Sequence, residues 1–159
     1  MTFEPSGPPS PSPPQRPPIR SGVLWAGGVA TAVVAALVSA VGVVIAEGVL
    51  SIELLQVGLP GNPTAPIWLS YPVIAFLLAI AASGILHLLL AVVPQPLRFF
   101  NWIMGLITVL AAALPFVAGF SGRSIITSAV DFITALAVWL LLIGIAVRAR
   151  RAPDDPRPA

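Results

Sequence analysis

One uninterrupted apolar stretch, Val23 to Ala46, limits what this chain can fold into more than any other feature. It contains no charged residue, and at ~1.5 Å of rise per residue a helix of this length crosses a hydrocarbon layer of ~30 Å. Small residues recur at every fourth position, as Gly28, Ala32, Ala36 and Ala40. This spacing lets neighbouring helices approach closely in lipid, so we expect the other apolar segments to pack around this helix.

Three further apolar segments are long enough to cross a bilayer. Together the four predict an all-α fold, an integral membrane four-helix bundle. We place the spans at about residues 23–46, 71–93, 99–120 and 124–147, within one transmembrane domain at 23–151. The composition agrees, because only 9% of the residues are charged and the mean hydropathy is +0.98, whereas soluble domains carry about a quarter charged residues.

Both ends of the chain are rich in proline. In residues 1–22 proline is too dense for a helix or a strand ladder, which predicts a disordered, proline-rich cytoplasmic tail. Residues 152–159 are predicted to form a second, short disordered tail.

The arginines predict the orientation of the chain in the membrane. All eight basic residues are arginine, and seven of them lie before the first span, between the second and third spans, or after the fourth. Only Arg123 lies on the other side. The positive-inside rule then places both termini in the cytoplasm, in a multi-pass protein of the plasma membrane. Arginines that are few and flank apolar spans indicate orientation, so we expect no nucleic-acid partner.

Asp131 is the first candidate for an intramembrane polar site. A carboxyl group at this depth costs about 2.5–3.5 kcal/mol on insertion scales, so it should face protein or water. Asp131 could be a proton or cation site, or a structural residue that holds helices together. We favour the structural role, because a single carboxylate does not make a pathway.

His87 in the second span is the second candidate polar residue. Counting along upright helices separates the depths of His87 and Asp131 by roughly 13 Å, whereas a direct contact requires about 3 Å. We therefore expect no direct pair. His87 is predicted to be a neutral imidazole near the inner interface, bonded to backbone or to Asn101.

Pro115 is predicted to kink the third span, because proline withholds the amide donor that the Ala111 carbonyl would receive in a regular helix. Asp131 lies at nearly the same depth in the fourth span. The hypothesis that follows is a hydrogen bond from protonated Asp131 to the freed Ala111 carbonyl.

Several kinds of chemistry lack the residues they require. The chain has no cysteine and one histidine, which excludes thiolate and histidine-rich metal sites. No GxSxG, HExxH or P-loop pattern occurs. We expect no catalytic residues, no metal, no cofactor and no enzymatic activity.

Three sequence features resemble a known family. The first span opens with Leu24-Trp25-Ala26-Gly27-Gly28, the third ends with Ala112-Ala113-Leu114-Pro115-Phe116, and the fourth carries one polar residue followed by Ala135 and Ala137. In these features residues 20–150 resemble the small four-span actinobacterial membrane proteins that are known only as a family of unknown function. The resemblance implies the four-span fold and no activity. Family members often have histidine where this chain has Asp131, so the resemblance assigns Asp131 no role.

The sequence favours a non-enzymatic accessory or scaffold subunit of a membrane assembly. Small-residue ridges, short loops and few intramembrane charges are typical of such a subunit, whose partners would be the lipid bilayer and either another membrane protein or further copies of the chain. The alternative is a small oligomeric transporter or channel that uses Asp131 in a proton or cation path.

Overall fold

A computed structural model describes residues 21–55 and 58–150. Within them the chain forms four long α-helices: α1 is Ser21–Val43, α2 is Ile67–Val92, α3 is Pro96–Ala113 and α4 is Gly122–Arg150. A π-helical segment, Val44–Val49, continues α1, and a 3₁₀ turn, Leu114–Ala118, continues α3. All four helices are long and apolar enough to cross a membrane. The predicted all-α, four-helix membrane fold is thus confirmed. Of the tails predicted to be disordered at 1–22 and 152–159, residues 21 and 22 belong to α1, and residues 1–20 and 152–159 lie outside the described residues.

The helices begin earlier than the predicted spans. α2 begins at Ile67 instead of 71, directly after Pro66, whose φ of −64° and ψ of 146° hold the chain extended. α3 begins at Pro96 instead of 99, because proline suits the first position of a helix, where no amide donor is required. α4 begins at Gly122, two residues before the predicted start.

The four helices run antiparallel, so two distinct ends can be defined. One buried cluster joins the start of α1, the end of α2, the start of α3 and the end of α4 through Leu24, Leu86, Phe100 and Ala146; we call this the terminal end. A second cluster joins Val43, Ala46, Leu54 and Tyr71; we call this the loop end. Residues 21 and 150 therefore lie at the same end of the bundle.

α1 lies between α2 and α4, and α3 packs mainly on α4. The glycines of α1 allow close approach: a Cβ atom at Gly28 would lie 2.8 Å from the Ser83 Cβ, and one at Gly42 would lie 2.6 Å from a Val130 methyl. Gly28 and Ala32 are buried, whereas Ala36 and Ala40 are half-buried. A neighbouring row of small side chains is buried more completely, with Thr31, Ala35 and Ser39 at most 2% exposed.

Large apolar side chains cover the outside of the bundle. Leu37 on α1, Leu78 on α2, Leu106 on α3 and Leu140 on α4 are each more than 60% exposed. Water would penalise such a surface, whereas lipid does not. The four apolar helices and this apolar exterior identify a multi-pass membrane protein.

The connection between α1 and α2 folds back over the loop end. The π-helical segment ends at Val49, and residues 50–55 continue without regular structure. The backbone turns sharply at Ser51, where φ is 54°, and the Leu54 side chain is completely buried. We call residues 50–55 the strap, because they return across the end of the bundle.

Candidate functional site

Asp131 lies on the side of α4 that faces the other helices. Thr127, one turn before it, and Val138, two turns after it, lie on the same side and are 2% and 6% exposed. Asp131 itself is half-buried. Its carboxyl group therefore faces the interior of the bundle, toward the loop end. In this position the carboxyl group avoids contact with the lipid hydrocarbon.

Tyr71 on α2 is buried at the loop end. It belongs to the cluster against which Ile126 and Val130 of α4 pack, so it lies beside the part of α4 that carries Asp131. The Tyr71 hydroxyl donates a hydrogen bond of 3.2 Å to the Leu55 carbonyl in the strap. The Tyr71 hydroxyl thus fastens α2 to the strap.

Three hydrogen bonds that involve side chains of α2 or α4 fasten the strap to these helices. Tyr71 provides the first. The Leu55 amide donates the second to the Thr127 Oγ1, at 3.2 Å, and the Arg123 guanidinium donates the third to the Leu54 carbonyl, at 2.7 Å. All three bonds involve the backbone of two consecutive strap residues, so α2 and α4 together fix the strap over the loop end.

A cleft of about 460 Å³ opens beside the strap. Its lining combines two carboxylates, one guanidinium, one hydroxyl and two aliphatic side chains, from Glu47, Ser51, Glu53, Leu54, Ile67 and Arg123. Arg123 and Glu53 approach to 3.9 Å, and the Glu53 side chain is 85% exposed. Asp131 is not part of the lining. Across residues 21–55 and 58–150, no group of three acidic or histidine side chains is arranged to hold a metal ion.

His87 lies toward the terminal end, away from the end that holds Asp131. Its ring centroid is 6.1 Å from that of Trp25, and its Nδ1 atom is buried without a hydrogen-bond partner among the described residues. Asn101, which we considered as its partner, accepts a 3.2 Å hydrogen bond from the Trp139 Nε1 instead. The structure therefore joins α3 to α4 through Asn101 and places His87 against an aromatic ring.

Pro115 lies in the 3₁₀ turn that follows α3 and is buried. Near this break, the Ser128 Oγ donates a hydrogen bond of 2.6 Å to the Ala112 carbonyl. α3 keeps the α-helical register to its end, where the Leu114 amide bonds to the Leu110 carbonyl, so the amide that Pro115 lacks is the one Ala111 would receive. The bond observed at this break thus comes from Ser128 and not from Asp131, and it reaches Ala112 and not Ala111.

The hydrogen bonds that fasten the strap were not predicted from the sequence. In the sequence, Arg123 indicates only the orientation of the chain, and no pattern assigns Leu54 a position in the bundle. One signal was available: the connection after the first span carries Glu47 and Glu53, and the only arginine expected on that side of the membrane is Arg123. Opposite charges that are alone on one face of a membrane protein are natural partners.

Comparison with known proteins identifies a family but no characterised relative. None of the curated proteins matches the chain, and no solved structure matches it. A family profile matches residues 19–151, which contain all four helices. The chain therefore belongs to a family of unknown function, DUF6069.

Proposed function

We propose that this protein is a non-enzymatic accessory or scaffold subunit of a membrane assembly, acting by packing against another membrane protein or against further copies of itself. The observation that carries the proposal is the close packing of α1. A Cβ atom at Gly28 or Gly42 would collide with the side chain of Ser83 or Val130. Helices that interlock at this distance favour one fixed arrangement, whereas alternating access requires elements that move apart.

The positions of the two clefts support the same proposal. The cleft beside the strap is at the loop end, and a groove of about 490 Å³ lies at the terminal end, around Arg98. Asp131 lines neither of them. A subunit that serves as a packing surface needs no passage between its two ends.

The cellular setting is part of the proposal. The arginine distribution supports insertion in the plasma membrane with both termini in the cytoplasm. Because the matched region 19–151 contains all four helices, we further propose that the relatives are four-span membrane proteins, of actinobacterial origin as the resemblance suggests.

Purification of the tagged full chain from native membranes in mild detergent tests the scaffold role. We expect a second protein, or further copies of the chain, at a fixed ratio. Replacing Leu37 or Leu106 by tryptophan, on the exposed faces of α1 and α3, should release the partner in one variant and retain it in the other. Recovery of monomers alone, with no protein at a constant ratio, would contradict the proposal.

A second candidate function is a proton or cation path through Asp131. It is favoured by the position of Asp131 on the inward-facing side of α4, near Tyr71 and below the strap. Purified protein in liposomes should then carry a flux that Asp131→Asn abolishes. Glu53→Gln is the matched control, because this carboxylate is exposed and lies outside the bundle. A flux with this dependence would replace the scaffold proposal, and its absence would remove the second candidate.

A further inference from the structure

A groove with mixed polar and aromatic walls lies at the terminal end, where α2 passes into α3. Its volume is about 490 Å³, and it is lined by Pro94, Gln95, Arg98, Phe99 and Trp102. Only three residues separate the end of α2 from the start of α3. One of them is Pro94, and Pro96 is the first residue of α3. Arg98 therefore lies in the first turn of α3, and the aromatic side chains follow it directly along the helix.

The electrostatic field in this groove is positive. Arg98 is exposed, and the carboxylates in the described part of the chain, Glu47, Glu53 and Asp131, all lie toward the loop end. Arg123 forms an ion pair with Glu53, and this pair also lies at the loop end. It is the ion pair of an arginine within residues 21–55 and 58–150. Within the described structure, nothing neutralises the guanidinium of Arg98.

The start of α3 adds to this field. Its first turn contains no acidic residue, and its N-cap, Gln95, makes no side-chain hydrogen bond to the helix. The amide groups of the first turn and the positive end of the helix dipole are therefore available to an anion. Arg98 belongs to this first turn and lines the groove together with Gln95, so the guanidinium and the positive end of the helix dipole lie beside one ligand.

The other wall of the groove is apolar and continues along α3. Phe99 is 55% exposed, Trp102 is 69% exposed, and Leu106, one turn further, is 66% exposed. Arg98, Trp102 and Leu106 are spaced by four residues and share one side of the helix. A ligand that fits this surface has an anionic group at one end and a hydrocarbon chain that follows the helix into the membrane.

We propose that this groove is a binding site for an anionic phospholipid. The lipid phosphate pairs with the Arg98 guanidinium and with the first-turn amides of α3, while an acyl chain lies along Trp102 and Leu106. An inorganic anion would use only the polar part of the groove. The continuous apolar surface beyond Arg98 is the reason for choosing a lipid, since basic grooves at the membrane surface bind lipid phosphate groups.

Lipid titration of the full chain in detergent, followed by native mass spectrometry, tests the site. The probes are phosphatidylglycerol, which carries a net negative charge, and phosphatidylcholine, which does not. Arg98→Gln should weaken phosphatidylglycerol binding about fivefold, the equivalent of ~1 kcal/mol for one basic residue at an anionic surface. Arg148→Gln is the matched control, because Arg148 is exposed near the same end, on α4, outside the groove.

Two further variants separate charge from packing. Arg98→Lys keeps the positive charge and should retain the preference for phosphatidylglycerol. Unchanged binding of phosphatidylcholine by Arg98→Gln shows that its loss of phosphatidylglycerol binding is not a loss of folding. Trp102→Leu should weaken both lipids equally, because it removes apolar surface and leaves the charge. Equal affinities of Arg98→Gln and Arg148→Gln for phosphatidylglycerol would overturn the proposal. Displacement of the lipid by millimolar inorganic phosphate would also overturn it, since the site would then be one for the free anion.

Discussion

The Arg123 guanidinium donates a 2.7 Å hydrogen bond to the Leu54 carbonyl, joining two residues that are 69 positions apart in the chain. Leu54 also has a completely buried side chain, so this contact fixes both its backbone and its position in the bundle. The strap is thereby attached to α4 at the loop end. Arg123, which in the sequence indicates only the orientation of the chain, thus also holds the connection between α1 and α2 in place.

Replacing Arg123 by methionine should loosen the strap. Methionine keeps an apolar stem of similar length and removes the charged donor, and a hydrogen bond to a charged group contributes about 1.5–3 kcal/mol. We expect a lower thermal unfolding temperature in detergent and faster hydrogen–deuterium exchange in residues 50–55. The Leu55 amide should exchange faster as well, although its partner Thr127 is retained, because neighbouring bonds hold the same short segment.

Glu53→Gln is the control for this experiment. Glu53 lies 3.9 Å from Arg123 but is 85% exposed, and an exposed ion pair contributes at most ~1 kcal/mol. This variant should behave nearly like the wild type. If it loosened residues 50–55 as much as Arg123→Met does, the ion pair and not the hydrogen bond to Leu54 would hold the strap.

The packing of α1 on α4 gives a second prediction. A Cβ atom at Gly42 would lie 2.6 Å from one Val130 methyl and 3.1 Å from the other. Valine is β-branched and cannot rotate both methyls away, so Gly42→Ala should destabilise the bundle by about 1–3 kcal/mol, the usual cost of overpacking. Unfolding of the purified variant by heat or by denaturing detergent measures this loss.

A matched control and a rescue make the prediction specific. Nothing lies within 4 Å of a Cβ atom built at Gly144 on α4, so Gly144→Ala should leave stability unchanged or slightly improved. The double variant Gly42→Ala with Val130→Ala removes the colliding methyls and should recover part of the loss. No recovery in the double variant would show that the Gly42 effect does not come from this contact.

The sequence was sufficient for the helices and insufficient for the contacts that fasten the strap. Spans are predictable because apolar length is a local property of the chain. The Leu55–Thr127 bond joins residues that are 72 positions apart in the chain. It depends on where the π-helical segment ends and on how the backbone turns at Ser51, and the periodicity of the sequence reveals neither. Near Pro115, the carbonyl that accepts a bond from α4 is that of Ala112 and not that of Ala111, a difference of one residue that hydropathy cannot register.

Orientation in the membrane can be tested by single-cysteine labelling, because the chain contains no cysteine of its own. Asn62 is exposed at the loop end and Gln95 is exposed at the terminal end. With both termini in the cytoplasm, a membrane-impermeant maleimide should label Asn62→Cys in intact cells and label Gln95→Cys only after permeabilisation. The opposite pattern would invert the topology, and equal labelling of both positions would mean that the two ends are not on opposite sides.

The Ser128 hydroxyl should matter more for stability than the Thr134 hydroxyl further along α4. Its 2.6 Å bond to the Ala112 carbonyl links α4 to the end of α3, where the α-helix changes to a 3₁₀ turn. Ser128→Ala should therefore cost about 1–3 kcal/mol, because a partly buried acceptor in an apolar environment loses its partner. Thr134→Ala is the matched control, since the Thr134 hydroxyl bonds to the Val130 carbonyl of its own helix, at 2.8 Å. Ser128→Thr retains a hydroxyl and should remain close to the wild type in thermal unfolding. Equal losses from Ser128→Ala and Thr134→Ala would show that the link between α3 and α4 contributes nothing beyond a bond within one helix.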